Sequence, residues 1–191
     1  MGNKRVLVLL EIAIFAALAF VLDFIAFSMP QGGSVSLAMI PVVLMAFRRG
    51  VWAGIGTGAL FGLLQLILGR YYAAPLSFGF VVLQLFLEYI AAFAVVGLAG
   101  ITRSPYLKKL HDRKFFAAGL LVAAGVFVAS FLRYLIHTAV GVWFFSSFAE
   151  GNVLIYSVTY NATYMVPIFL LTALVCWGLF TAAPRLTDPE N

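Results

Sequence analysis

The chain has 191 residues, 64% of them hydrophobic and only 10% charged, where a soluble domain carries about 25% charge. That balance excludes an ordinary soluble fold, and the net charge of +5 fits the basic cytoplasmic loops of a polytopic membrane protein better than a nucleic-acid surface. The single cysteine, Cys176, rules out an intrachain disulfide, a Cys-rich metal site and a redox pair.

Long gaps between charges mark the spans, since a membrane-crossing helix needs roughly 20 apolar residues. They predict an all-α integral membrane protein, a single domain over 1–191, with transmembrane helices at 6–28, 35–47, 51–69, 76–102, 115–142 and 153–182. The first follows Lys4 and Arg5 and carries Ala17-Leu18-Ala19, as a signal peptide might. Glu11 interrupts its apolar core, however, and the hydrophobicity continues past Ala19, so it reads as a retained helix. The second is short and holds Pro41, which predicts a tilted or irregular segment. Gly54, Gly58 and Gly62 put a small-residue stripe on the third, read as internal packing, and Ala13 and Ala17 form another on the first. Residues 103–114 are basic and read as a solvated loop.

With six spans the two termini share a side. That side collects Lys4, Arg5, Arg48, Arg49, Arg103, Lys108, Lys109, Arg113, Lys114 and Arg185, ten of the twelve basic residues. The opposite side has only Arg70. The positive-inside rule therefore predicts cytoplasmic N- and C-termini.

Ionisable groups within a bilayer are costly, so they usually face a cavity or a partner. Glu11, Asp23, Glu88, Arg133 and His137 fall in the spans. At about 1.5 Å of rise per residue, Glu11 lies only about 9 Å from the cytoplasmic charges, Glu88 about 22 Å and Arg133 about 28 Å. His137 and Asn161 fall still further out. Four polar groups from three helices thus gather in the outer half of the membrane, which suits a pocket loaded from outside. Arg133, His137 and Gly141 share a helix face, and Tyr156, Tyr160 and Tyr164 make a second stripe beside Asn161. Phe144, Phe145, Tyr71 and Tyr72 add aromatic surface. A carboxylate among aromatic rings suits a bulky organic cation, by charge neutralisation and cation–π contact. The same residues also allow a structural Glu88–Arg133 pair, an interhelical hydrogen bond at His137 and an interfacial aromatic belt at Tyr71 and Tyr72. Asp23 is left outside the site. No P-loop, His-Glu-x-x-His or Gly-x-Ser-x-Gly occurs, so any ATP-driven uptake requires a separate ATPase.

Met29-Pro-Gln-Gly-Gly-Ser-Val-Ser36, Arg48-Arg-Gly50, Leu87-Glu88-Tyr89, Arg133-Tyr-x-x-His137, Phe144-Phe-x-Ser-Phe148 and Tyr156-Ser-x-Thr-Tyr-Asn-Ala-Thr-Tyr-Met-Val-Pro167 stand in order along nearly the whole chain. Together they resemble the thiamine-specific substrate-binding (S) components of energy-coupling-factor transporters, the ThiT family. The resemblance implies six helices, a vitamin pocket near the outer face of a prokaryotic cell membrane, no enzymatic activity and no cofactor. It implies as partners thiamine, the transmembrane coupling protein EcfT and two cytoplasmic ATPases. Glu88 matches the glutamate that meets the cationic thiamine, with Tyr89 beside it. Arg133, His137, Tyr156 and Asn161 match pocket positions, Gly141 and Ser146 match lining positions, and Ala13 and Ala17 match the surface that docks on the coupling protein. Two stacking tryptophans of some members are missing: the first outer loop reads Gln31-Gly32-Gly33, and Phe145 stands at the second position. An S-component for another vitamin or a thiamine precursor is the nearest alternative. A small membrane-embedded enzyme using Glu88, Arg133 and His137 as acid–base groups is the alternative from another class.

Overall fold

The computed structural model describes residues 2–30 and 32–188; Gln31, named above in the first outer loop, lies outside them. Helix α1 spans Gly2–Leu22. A two-stranded antiparallel hairpin follows, β1 (Phe27–Ser28) and β2 (Ser34–Val35), and then α2 (Met39–Arg49) and α3 (Val51–Ile67). One unbroken helical run covers Phe78–His111. It consists of α4 (Phe78–Leu85), a π-helical segment at Phe86–Ala91, α5 (Ala92–Ala94), a 3₁₀ segment at Val95–Thr102 and α6 (Arg103–His111). The chain continues through α7 (Phe115–Phe144) and α8 (Val153–Ala182).

Among the described residues, four runs are long and apolar enough to cross a membrane: Lys4–Leu22, Phe78–His111, Phe115–Phe144 and Val153–Ala182; Val51–Ile67 is a shorter apolar helix. The distribution of side chains agrees with lipid as solvent. Val6, Leu9, Leu10, Ile14 and Val21 of α1 and Leu174 of α8 face outward, whereas Asp23, Gln65, Gln84, Arg133, His137 and Asn161 are buried. A water-soluble protein would show the reverse.

The second expected span is shorter than lipid requires, because α2 does not meet lipid. Its residues Met39–Phe47 are all buried, packed between α1, α3, α8 and the 3₁₀ segment. Pro41 sits in its first turn, where the missing N–H costs nothing, so the helix is regular and not broken. The glycines of α3 do what the stripe suggested. A Cβ at Gly62 would run into the Tyr89 carbonyl, and one at Gly58 into the Phe93 carbonyl, so α3 lies directly on the π-helical backbone.

Residues 103–111 need correcting from loop to helix. Tyr106 and Leu110, one turn apart, are buried, with the Tyr106 ring 5.1 Å from Phe47, and Arg103 Nε donates to the Phe47 carbonyl at 2.7 Å. An amphipathic helix with one anchored face forms there despite its charges. The hairpin was also unforeseen: strands of two residues carry little pattern. Its turn is held by Met29 N–H donating to the Gly33 carbonyl at 2.9 Å, with φ +81° at Gly33. A side chain at Gly33 would meet the Tyr164 ring, so this turn needs glycine both for its backbone and for its seat on α8.

Candidate functional site

Three connections converge at one end of the bundle: the hairpin after α1, the loop between α3 and α4, and the start of the turn after α7. Beneath them lies a cavity of about 410 Å³ lined by residues 28–30, 32–34 and 69–72 together with Asp23, Gln65, Glu88, Tyr89, Phe93, Arg133, His137 and Phe145. This is within the range of about 300–1,000 Å³ typical of small-molecule sites. A smaller void of about 30 Å³ adjoins it, sharing Glu88, His137 and Phe145 and adding Gly141, Tyr156, Ser157, Tyr160, Asn161 and Tyr164.

Of the nine binding residues expected from sequence, Glu88, Tyr89, Arg133, His137 and Phe145 line the large cavity. Gly141, Tyr156 and Asn161 line the small void. Ser146 is exposed and lines neither. Ala13 and Ala17 lie on α1, outside both cavities and exposed, whereas their neighbours Ala16 and Ala19 are wholly buried.

The polar groups form a chain rather than the direct Glu88–Arg133 pair that the sequence allowed. Arg133 Nε donates to His137 Nε2 at 3.2 Å, and its guanidinium sits 4.1 Å from the centre of the Phe93 ring. An arginine nitrogen can only donate, so a neutral His137 carries its proton on Nδ1. That atom faces Glu88 Oε1 at 3.9 Å. The other carboxylate oxygen of Glu88, Oε2, accepts from Gln84 Nε2 at 2.8 Å. Arg133 and His137 thus hold one another, and Glu88 keeps its charge toward the cavity.

The α8 face is fixed by a second network. Asn161 Nδ2 donates to the Ser157 carbonyl at 2.8 Å, and its Oδ1 accepts from the Tyr164 hydroxyl. Gly141 leaves room for this: a Cβ there would strike Ser157 Oγ. Tyr160 donates to the Gly32 carbonyl at 2.9 Å and stacks on Tyr156 with ring centres 5.9 Å apart, which ties the hairpin to α8. Tyr72 stacks on Phe145 at 5.9 Å and lines the cavity, so it is a wall residue and not simply part of a belt.

Sequence reasoning missed several lining or supporting residues, among them Phe93, whose ring lines the cavity against Arg133. Asp23, set aside as ambiguous, is buried in the cavity wall, where Arg70 pairs with it at 3.2 Å and Gln65 Nε2 donates to it at 3.0 Å. Gln84 is wholly buried behind Glu88. Gln65, Arg70 and Gln84 lie on different segments, and only the i, i+4 spacing of Gln84 to Glu88 was visible beforehand. Among the described residues no three His, Cys, Asp or Glu side chains cluster as a metal site would need.

The Thiamine transporter protein (Thia_YuaJ) family model matches residues 9–188. The chain is 45% identical to the thiamine transporter ThiT of Bacillus subtilis, over 99% of this chain and 98% of that one. It is 33% identical to the thiamine transporter ThiT of Lacticaseibacillus paracasei, over 96% and 92%. A solved structure of ThiT from Listeria monocytogenes superposes with a TM-score of 0.88 at 31% identity, covering 97% of this chain and 99% of that one. By family model, full-length identity and fold alike, the chain belongs to the thiamine transporter protein family.

Proposed function

We propose that this chain is the thiamine-capturing S-component of an energy-coupling-factor importer, a non-enzymatic membrane protein of the prokaryotic cell surface. The observation that carries the reading is Glu88, an acid facing a cavity lined by Tyr72, Tyr89, Phe93 and Phe145. Thiamine is a permanent organic cation, and such a wall offers it charge neutralisation and ring contact together. Glu88 meets the cation, His137 and Asn161 orient the ligand, and Arg133 holds His137 in place. Phe145 stands where some members use a tryptophan, and Tyr72 stacks on it across the cavity. Mass spectrometry of small molecules that co-purify with detergent-solubilised protein tests this directly. Thiamine is the expected ligand; a different vitamin in its place would move the chain to the sister class.

In this reading the chain crosses the membrane six times with both termini in the cytoplasm. Helix α2 can be short because protein surrounds it, as a segment too short to span lipid requires. The ten-to-one split of basic loop residues supports that orientation. Single cysteines near Gln31, Tyr72 or Asn152 are expected to react with an impermeant reagent added outside cells. Cysteines near Arg49 or Lys109 are expected to stay protected. Labelling at Lys109 with protection at Asn152 would overturn the topology. The coupling protein EcfT and two ATPases supply the energy, since the sequence holds no P-loop.

A further inference from the structure

Gln84 is the one wholly buried amide side chain beside Glu88. Its position, one turn earlier on the same helical run, puts both residues on one face. Nε2 donates twice, to Glu88 Oε2 at 2.8 Å and to the Tyr72 carbonyl at 3.0 Å; Oε1 accepts from Ala74 N–H at 3.0 Å. The amide orientation is fixed by these partners: a flip would set Oε1 against two acceptors and the NH₂ group against a donor. Beside it, the Tyr89 hydroxyl accepts from Tyr72 N–H at 2.8 Å. Two consecutive turns of one helix therefore grip the loop that carries Tyr72, and Tyr72 stacks on Phe145 across the cavity.

We propose that Gln84 is a positioning residue for cation recognition, which locks the Glu88 carboxylate and the Tyr72 wall into one unit. Gln84 does not line either cavity and acts through what it holds. The carboxylate has few other fixed points: His137 Nδ1 stands 3.9 Å from Oε1, beyond hydrogen-bonding distance. Without Gln84, Oε2 loses its close donor, and the Tyr72 carbonyl and Ala74 N–H lose their side-chain partner in a buried setting. The carboxylate would then turn among rotamers, while the loop would keep the Tyr89 hydroxyl as its remaining anchor to the helix. A charge preorganised in a partly dry site is worth more to a cation than one that must be oriented on binding.

The inference rests on the reading of Glu88 as the cation's partner, and a double-mutant cycle with two ligands separates the two. Purified Gln84→Met, Glu88→Gln and the double variant are titrated by calorimetry with thiamine and with an uncharged isostere whose thiazolium ring is replaced by thiophene. Gln84→Met is expected to weaken thiamine at least about tenfold, and the isostere less than about threefold. In the Glu88→Gln background the same change is expected to cost thiamine less than about threefold, because the group that Gln84 positions is already neutral. Equal losses for both ligands, or an undiminished loss in the Glu88→Gln background, would show a merely structural residue and overturn the proposal. Gln84→Asn, which keeps a buried amide but shortens its reach by one methylene, gives the same comparison if the methionine variant is not monodisperse. Wild-type protein that binds both ligands equally would overturn the Glu88 reading, and this inference with it.

Discussion

Glu88→Gln is expected to lower thiamine affinity by at least tenfold while leaving the protein monodisperse and folded. The substitution keeps size and shape and removes one charge. In the structure that charge faces a cavity, and Arg133, the structural partner that the sequence allowed, is engaged with His137 and Phe93 instead. No ion pair between Glu88 and Arg133 is broken, so stability should change little. The ligand, by contrast, loses its counter-ion. Removing one partner of a desolvated charge contact typically costs about 2–5 kcal/mol, which corresponds to roughly 30-fold or more at about 1.4 kcal/mol per decade. Calorimetry on detergent-solubilised protein measures it. Near-normal affinity would place recognition of the cation elsewhere, with buried Asp23 in the cavity wall as the next candidate.

Replacing both Ala13 and Ala17 by tryptophan is expected to abolish thiamine uptake by cells while purified protein binds thiamine normally. Both alanines are exposed on α1, at the margin of the face whose Ala16 and Ala19 are fully buried in the core. The bland alternative, that they only pack the protein's own helices, is therefore disfavoured by where they point. Small residues four apart let a foreign helix approach closely, and van der Waals contact over such a surface suffices for association in lipid. Two indole rings would hold that helix off by bulk. Neither residue lines the cavity, so capture should be untouched. Uptake that survives the double substitution would move docking to another face. Loss of binding as well would mean that α1 transmits strain to the site.

The longest helices were legible because their ends are chemically marked. Helix α8 begins where Asn152 accepts from the Ile155 N–H at 3.1 Å, and its predicted limits, 153–182, are those observed. Helix α7 starts directly after the charged Lys114, at the predicted Phe115, without a side-chain cap. What composition hid was of two kinds. Helix α6 is polar enough to pass for a loop, and only Tyr106 and Leu110 betray its buried face. The site's supporting residues are hidden for another reason: Asp23 follows α1 while Gln65 and Arg70 lie at and just beyond the end of α3, and they meet only when the two helices pack together. Glu88, Arg133 and His137 were visible in advance because a charged or titratable group in an apolar run requires an explanation. Gln84 carries no charge and required none.

The π-helical segment at Phe86–Ala91 has a consequence for how this sequence can change length. Its wider turn accommodates one more residue than an α-helix would over the same rise, and Glu88 and Tyr89 stand within it. Deleting a single residue there would let the segment close into regular α geometry, with the helix beyond it nearly unturned but the side chains inside the segment re-aimed. Glu88 and Tyr89 would be re-aimed locally, and the Tyr89 carbonyl would shift on its seat at Gly62. Lipid-facing Phe86 can be exchanged for other apolar residues with little consequence, since 53% of it is exposed. The count of residues between 86 and 91 has no such freedom. Along this stretch, insertions and deletions should be more strictly excluded than substitutions, because the local residue count itself aims the cavity-facing acid.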